Sequence, residues 1–102
     1  MGETPVVWAP EALADRDALH AYRAAHSTPA RAYAVLHRVA QAAARLGTFP
    51  ESGHRTRSGH RELAVPRLPY VIEYAVVDDI VHIIHVWHAS QNRHKGGDIE
   101  SE

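Results

Sequence analysis

The chain has 102 residues, no cysteine and a formal net charge of −1, which is the length of one domain and leaves no disulfide or thiolate metal site. No apolar run approaches the roughly 20 residues of a membrane span, and the first residues lack the features of a secretory signal. A near-neutral charge disfavours a strongly basic nucleic-acid binder. We therefore predict a soluble, cytoplasmic, single-domain protein with an ordered core at about residues 5–93 and a flexible polar tail at 94–102.

The N-terminal part of the chain predicts a strand followed by a helix. Pro5–Ala9 is a short β-branched and aromatic run, which is typical of a strand. Pro10 then suits the first turn of a helix that extends to residue 26. The inward stripe of this helix is predicted from apolar residues at helical spacing, namely Leu13, Leu19 or Ala18, Tyr22 and Ala25.

The clearest helix follows after a short connection. Ser27 or Thr28 can cap it and Pro29 can open it. Gly47 is expected to end it in a left-handed conformation. Its apolar stripe is Ala32, Val35, Leu36, Val39, Ala43 and Leu46. Its arginines recur every seven residues along one exposed flank, at Arg31, Arg38 and Arg45. The short connection predicts an antiparallel helical hairpin.

The remainder predicts a loop and three strands. Residues 48–60 contain proline, glycine and hydroxyl residues and are predicted to form a long loop. Residues 61–89 hold β-branched runs, with Asp78-Asp79 where a tight hairpin turn belongs. The order is β-α-α-β-β-β. It predicts an α+β fold in which the helical hairpin packs on a mostly antiparallel four-stranded sheet.

The stretch "VHIIHVWHA" places His82, His85 and His88 three residues apart and raises the question of a metal site. A strand is favoured because Val and Ile dominate the run. Regular alternation would put His82, Ile84, Val86 and His88 on one face, and Val81, Ile83, His85 and Trp87 on the other. Metal ligands must converge on one point, so we predict no metal and no cofactor here.

Two residues at strand ends are the candidates for chemistry. Arg61 begins the first strand after the loop and can stabilise an oxyanion, whereas His88 ends the last strand and can transfer protons. Tyr70 and Tyr74 share a face of the neighbouring strand and are either base-stacking platforms or core residues. The remaining binding candidates are Gln91 and Arg93 after His88, and Arg55 and Arg57 in the arginine-rich segment from Ser52 to Tyr70. These residues predict either a metal-independent phosphodiester-cleaving patch or a protein-binding surface.

From Val6 to Arg93 the chain resembles the RelE/ParE superfamily of bacterial toxins. Four segments carry the resemblance, and they occur in the family's order and spacing. They are "VVWAPEALAD", "PARAYAVLHRVAQAAARLGTFPESGHR" with its L..P..G loop, "RELAVPRLPYVIEYAV", and "VHIIHVWHASQNR". The order of helices and strands, read from the residues alone, agrees with the family fold.

The resemblance implies the toxic half of a type II toxin–antitoxin pair, which acts in the cytoplasm and is neutralised by a cognate antitoxin. ParE-like members inhibit DNA gyrase, which causes growth arrest and serves plasmid stabilisation. RelE-like members cleave ribosome-bound mRNA without metal, and there Arg61 and His88 would match catalytic positions. The "PYVIEY" and "HASQNR" segments and the low positive charge favour the ParE-like branch. Direct DNA binding is not expected without the antitoxin. A degenerate member that only binds antitoxin is the third alternative.

Overall fold

A computed structural model describes residues 3–91 as two helices packed on one face of a five-stranded sheet. The elements are β1 (Val6–Trp8), α1 (Pro10–His26), α2 (Pro29–Arg45), β2 (His54–Arg55), β3 (Arg61–Ala64), β4 (Tyr70–Val77), β5 (Ile80–His88) and a final 3-10 turn (Ala89–Gln91). The sheet order is β1-β5-β4-β3-β2, and β1 pairs with β5 in parallel while the other pairs are antiparallel. The predicted α+β class and mostly antiparallel sheet are confirmed.

The strand count differs from the prediction by one. The segment predicted as a continuous loop contains β2, which pairs with β3 through His54 opposite Glu62 and Arg55 opposite Arg61. A two-residue strand shows no alternation in sequence. It forms because the chain reverses in a tight turn between Thr56 and His60, where the Thr56 N–H donates to the His60 carbonyl at 2.9 Å and Gly59 adopts a φ of 94°.

The core lies between the sheet and α2, as the helical stripe predicted. Val39 and Leu46 are fully buried, and Ala43 is almost so. They pack against Ile72 and Ile83 of the two central strands within one apolar cluster. Burial of this stripe holds the helix in place, since a 17-residue helix has only marginal stability by itself in water.

The predicted inward stripe of α1 is wrong at all but one position. Leu13 and Tyr22 are 38% and 58% exposed, whereas Ala12 and Leu19 are buried. The inward face of α1 also carries the half-buried side chains of Asp15 and Arg23. Both side chains hydrogen-bond to the sheet. Apolar periodicity predicted the wrong face of α1 because polar residues occupy half of the inward face.

The helix ends agree with the sequence at the start of α2 but not at its end. The Thr28 side chain accepts a hydrogen bond from the Arg31 N–H at 3.2 Å, as the predicted cap requires. Gly47 is not in the left-handed region, so that part of the prediction is wrong. Glycine is required there for another reason: a Cβ would lie 2.8 Å from the Thr4 carbonyl oxygen.

An extra residue in β5 overturns the predicted alternation of its faces. Glu73 of β4 is opposite His85 and the next residue, Tyr74, is opposite Ile83, so Ile84 has no partner in the ladder. Before this bulge Val81 and Ile83 point into the core, and after it Val86 does. His88 therefore joins the core-facing side rather than the side of His82.

None of the helices among residues 3–91 is long and apolar enough to cross a bilayer.

The hairpin turn between β4 and β5 supplies a stability prediction. Asp78 and Asp79 have φ values of 54° and 61°, the backbone of a tight hairpin turn that favours Asn-Gly. This confirms the predicted turn. Asp79→Gly should raise stability by about 1 kcal/mol, since glycine removes the left-handed strain. This corresponds to about 4–8 °C in Tm by thermal denaturation.

Asp17→Gly in the exposed part of α1 is the matched control. It makes the same chemical change in a helix and should lower stability by a few tenths of a kcal/mol, because aspartate ranks just above glycine in helix propensity. Equal effects of the two substitutions would contradict the turn geometry.

Candidate functional site in the cleft between α1 and β5

A cleft of about 540 Å³ lies between α1, the N-terminal end of β4 and the C-terminal end of β5. It contains His88, which was predicted from sequence, and Tyr70. Its lining residues are Asp15, Ala18, Leu19, Tyr22, Tyr70, Val86, Trp87, His88 and Ser90. The cleft thus combines aromatic surface with a histidine, and it opens beside the exposed ring of Tyr22. A concave surface of this kind is where a ligand or partner side chain can be enclosed.

Tyr70 holds two cationic or titratable side chains in place at the cleft. The Arg23 Nε–H donates to the Tyr70 hydroxyl at 2.9 Å, and the guanidinium lies 5.5 Å from the ring centroid. The His88 ring meets the Tyr70 ring edge to face, with centroids 5.4 Å apart. Tyr70 itself is 5% exposed, so its role is to position these neighbours more than to present a stacking surface.

Ser90, just after β5, fixes the tautomer of the neutral His88 ring. The Ser90 N–H lies 3.1 Å from His88 Nδ1, and the Ser90 hydroxyl oxygen lies 2.8 Å from the same nitrogen. Because a backbone N–H can only donate, Nδ1 must be the acceptor. The neutral ring therefore carries its hydrogen on Nε2.

Asp15 closes the other side of the cleft. One of its carboxylate oxygens accepts from the Val86 N–H at 2.9 Å and lies 2.9 Å from His85 Nδ1. These contacts join α1 to β5 at the strand position just after the bulge. Sequence reasoning missed both Asp15 and Arg23. The available signal was their spacing from the buried Ala12 and Leu19, which places all four on one helical face.

Arg61 and Tyr74 form a separate structural cluster with the loop before β2. The Arg61 guanidinium donates to the Gly53 carbonyl at 2.7 Å and to that of Glu51 at 3.3 Å. The Tyr74 hydroxyl donates to the Pro50 carbonyl and accepts from the Gly53 N–H, both at 2.8 Å. Tyr74 is fully buried. This cluster holds the loop at residues 50–53 against the sheet.

Glycine is required at position 53 by this same cluster. A Cβ there would lie 2.7 Å from the Tyr74 hydroxyl oxygen and 2.8 Å from the Glu62 carbonyl oxygen. The Pro and Gly of the L..P..G segment therefore serve to anchor the loop.

The structure does not bring Arg61 and His88 together. Arg61 is opposite Tyr74 and His88 is opposite Tyr70, on the two strands that flank β4. Four residues along a strand and two strand spacings separate their Cα atoms by about 16 Å. His88 instead contacts Tyr70, to which Arg23 from α1 is also bonded.

The other predicted binding residues lie elsewhere or outside the described residues. Arg55 and Arg57 are exposed on β2 and the turn that follows it. Gln91 ends the final 3-10 turn. Arg93 lies outside residues 3–91.

Histidines and carboxylates also meet on the β2–β3–β4 side of the sheet. His60 Nδ1 lies 2.7 Å from a Glu73 carboxylate oxygen, and His54 Nε2 lies 3.8 Å from one of Glu62. Within residues 3–91, no group of three or more His, Cys, Asp or Glu side chains is arranged to hold a metal ion. The pairs therefore act as cross-strand contacts between charged or polar neighbours.

Comparison with known proteins gives consistent matches. The model of the family described as the ParE toxin of the type II toxin–antitoxin system parDE matches residues 6–93. The chain is 41% identical over 86 residues to Toxin RelE2 of Caulobacter vibrioides, covering 84% of this chain and 96% of that protein. Its fold is similar to a chain of the chromosomal ParDE toxin–antitoxin system from P. aeruginosa. The TM-score is 0.76 at 19% identity, over 84% of this chain and 96% of the other.

The cluster of Arg61, Tyr74 and Gly53 predicts that removal of the Tyr74 hydroxyl destabilises the protein. Tyr74→Phe leaves the buried Gly53 N–H without its acceptor, so the free energy of unfolding should fall by about 2 kcal/mol. Tyr33→Phe, at a side chain that is 68% exposed, should change stability by less than about 0.5 kcal/mol. Urea denaturation of both variants measures the difference. Similar midpoints for the two would show that the cluster does not hold the loop.

Proposed function

This chain belongs to the RelE/ParE superfamily of toxins from type II toxin–antitoxin systems, and on that premise we propose that it is a ParE-like inhibitor of DNA gyrase. A cognate antitoxin neutralises it until the antitoxin is lost. The toxin then binds gyrase in the cytoplasm and arrests growth. No cofactor or metal enters this function, since inhibition rests on protein–protein contact.

The separation of Arg61 from His88 is the observation that supports this proposal over nuclease activity. A metal-independent nuclease needs its cation and its proton-transfer group on the same phosphodiester, within hydrogen-bond reach of the reacting atoms. The roughly 16 Å between the two Cα atoms, estimated from strand geometry, is too large for that. Arg61 is also committed to two loop carbonyls.

Burial of the tyrosines and the charge balance support the same proposal. Tyr74 is fully buried and Tyr70 is 5% exposed, so neither presents a ring face on which a base could stack. A net charge of −1 also gives little long-range attraction toward ribosomal RNA. Binding to a protein target places no such demand on the net charge.

The cleft is the surface that we assign to the target. It offers the exposed Tyr22 ring at its mouth, with His88 and Trp87 in its lining and Arg23 held on Tyr70. Aromatic and arginine side chains of this kind are enriched where binding energy is concentrated. Arg55 and Arg57 extend a second, exposed basic surface at the far edge of the sheet. Gln91 follows the cleft in sequence and is assigned to the same interface.

Induction without the antitoxin should arrest growth, and purified protein should block supercoiling by gyrase. Tyr22→Ala should weaken gyrase inhibition by about tenfold, the loss of one aromatic contact at a binding hot spot. Tyr33→Ala removes a ring of equal size from an exposed position on α2 and serves as the control. Normal supercoiling at saturating toxin would refute the proposal. Absence of growth arrest would instead indicate the degenerate, antitoxin-binding alternative.

A RelE-like nuclease is the second candidate, because the relative from Caulobacter vibrioides carries the name RelE2. In this chain the working groups would be His88 and Arg23 rather than Arg61. Primer extension on translated mRNA would then show cuts within codons at the ribosomal A site. His88→Ala would abolish the cuts while leaving the melting temperature within a few degrees of the parent. Intact transcripts during growth arrest would reject this candidate.

A further inference from the structure

The arginines of residues 3–91 divide into those that serve the fold and those that do not. Arg16, Arg23 and Arg61 are half-buried. Arg16 lies 5.0 Å from the centroid of the Trp8 ring, whereas the other two hydrogen-bond to Tyr70 and to loop carbonyls. The other arginines of this part of the chain are all exposed, and they are Arg31, Arg38, Arg45, Arg55, Arg57 and Arg67.

No carboxylate of residues 3–91 neutralises these exposed arginines. The carboxylates that have a basic partner in this range pair with histidines, in His54–Glu62, His60–Glu73 and His85–Asp15. Helix α2 contains Arg31, Arg38 and Arg45 and no acidic residue. The chain therefore has a locally positive surface that its net charge of −1 does not reveal.

Four of the exposed arginines form one surface, which we call the arginine face: Arg31, Arg38, Arg45 and Arg67. The three on α2 recur every seven residues, so they lie along one flank of the helix and span about 21 Å. Arg38 and Arg45 line a groove of about 580 Å³ between α2 and β3, and Arg67 lines it from the turn after β3. No acidic residue lines this groove. The arginine face is thus a straight row of unneutralised cations with a fourth beside it.

Arg67 carries a backbone feature that supports a role for its side chain. It is the third residue of a turn closed by the Leu68 N–H and the Val65 carbonyl at 3.2 Å, and its φ is 66°. Glycine or asparagine is the usual residue at this position of the turn. An arginine here keeps a strained backbone while placing a cation at the groove, and such strain is a reason to look for a function.

We infer that the arginine face binds the phosphate backbone of duplex DNA without reading its sequence. A duplex carries one negative charge per about 1.7 Å of its axis, so a row of about 21 Å meets phosphate at each arginine. Each guanidinium can donate two parallel hydrogen bonds to one phosphate. Contacts of this kind position a protein on DNA and carry no sequence information.

Duplex DNA suits the arginine face better than a single strand or an acidic peptide. Single strands are held by aromatic rings on which bases stack, and no aromatic residue lines the groove. The Phe49 ring lies under the Arg45 guanidinium, which is 5.2 Å from its centroid. A flexible acidic peptide would lose conformational entropy on aligning with the row. A duplex is already stiff over this length.

The inference rests on the proposed function in one respect, because gyrase is the partner that would hold the duplex beside the toxin. With four phosphate contacts and a net charge of −1, the affinity for free DNA is low. A toxin already bound to gyrase meets the duplex at a high effective concentration, so even weak contacts add to its binding. The arginine face then favours gyrase that is engaged on DNA.

The first test measures the binding of purified full-length chain to a fluorescent duplex of 20 base pairs by fluorescence anisotropy. For four phosphate contacts, log K should fall with log salt with a slope of about −3.6, or about 150-fold from 50 to 200 mM salt. A duplex of scrambled sequence should bind equally well. Absence of binding at 50 mM salt, or strong dependence on sequence, would overturn the inference.

Single variants locate the site. Arg31→Gln, Arg38→Gln and Arg45→Gln should each make the salt slope shallower by about 0.9, the loss of one phosphate contact. Arg67→Gly should do the same while Tm stays at or above that of the parent, because glycine relieves the left-handed strain.

Arg57→Gln is the matched control, since it makes the same change in net charge at the exposed turn between β2 and β3. It should leave the salt slope unchanged. An equal effect of this control and the four variants would show attraction by net charge alone and would overturn the site.

Competition identifies the occupant. An oligouridylate or a polyglutamate peptide of the same charge as the duplex should displace it only at higher concentration. Displacement by either at lower concentration than unlabelled duplex would overturn the choice of DNA.

Binding to gyrase with and without bound duplex tests the link to the proposed function. The double variant of Arg38→Gln with Arg45→Gln should lose about tenfold in affinity for DNA-bound gyrase and little for DNA-free gyrase. Equal losses for the two forms would overturn the contact with gyrase-held DNA. The anisotropy experiments do not involve gyrase. A toxin that binds duplex but not gyrase therefore refutes the proposed function alone, and one that inhibits gyrase but binds no duplex refutes the arginine face alone.

Discussion

The extra residue in β5 is the constraint on which the arrangement of the functional surface depends. β5 is an interior strand that pairs with β1 on one side and β4 on the other. With Ile84 outside the ladder, Val81 and Ile83 before the bulge and Val86 after it all reach the same core. The same shift turns His88 toward α1 and onto Tyr70. A single unpaired residue thus decides whether His88 lies in a cleft or on the opposite face of the sheet.

α1 uses its inward face for both packing and polar contact. Ala12 and Leu19 supply apolar burial, while Asp15 and Arg23 bond to the end of the sheet. The Asp15 carboxylate satisfies the Val86 N–H just beyond the short β1 strand, where the edge of β5 would otherwise be open. The helix therefore completes the sheet edge, and it builds one wall of the cleft with the same residues. This double role explains why its apolar pattern is weak.

The two sides of the hairpin have different characters. The cleft beside α1 combines aromatic rings with a histidine, whereas the groove beside α2 combines an apolar floor with three arginines. The cluster of Arg61, Tyr74 and Gly53 lies at the loop after α2. It holds that loop on the sheet.

The sequence by itself determined the fold class, the apolar stripe and cap of α2, the Asp78-Asp79 turn and the shared face of Tyr70 and Tyr74. Each is a local signal: a 3.6-residue period, a capping side chain, a turn between β-branched runs or a two-residue alternation. The resemblance carried by its four segments gave the superfamily, which the comparisons confirm.

Only the tertiary structure decided which residues meet. A bulge is invisible in a run of Val, Ile and His, because every residue in it suits a strand. The two-residue β2, the inward face of α1 and the pairing of Arg23 with Tyr70, 47 positions apart, all depend on contacts between distant parts of the chain. So does the separation of Arg61 from His88. Local patterns determine where helices and strands form. A site forms where distant helices and strands come together, and that depends on how the whole chain packs.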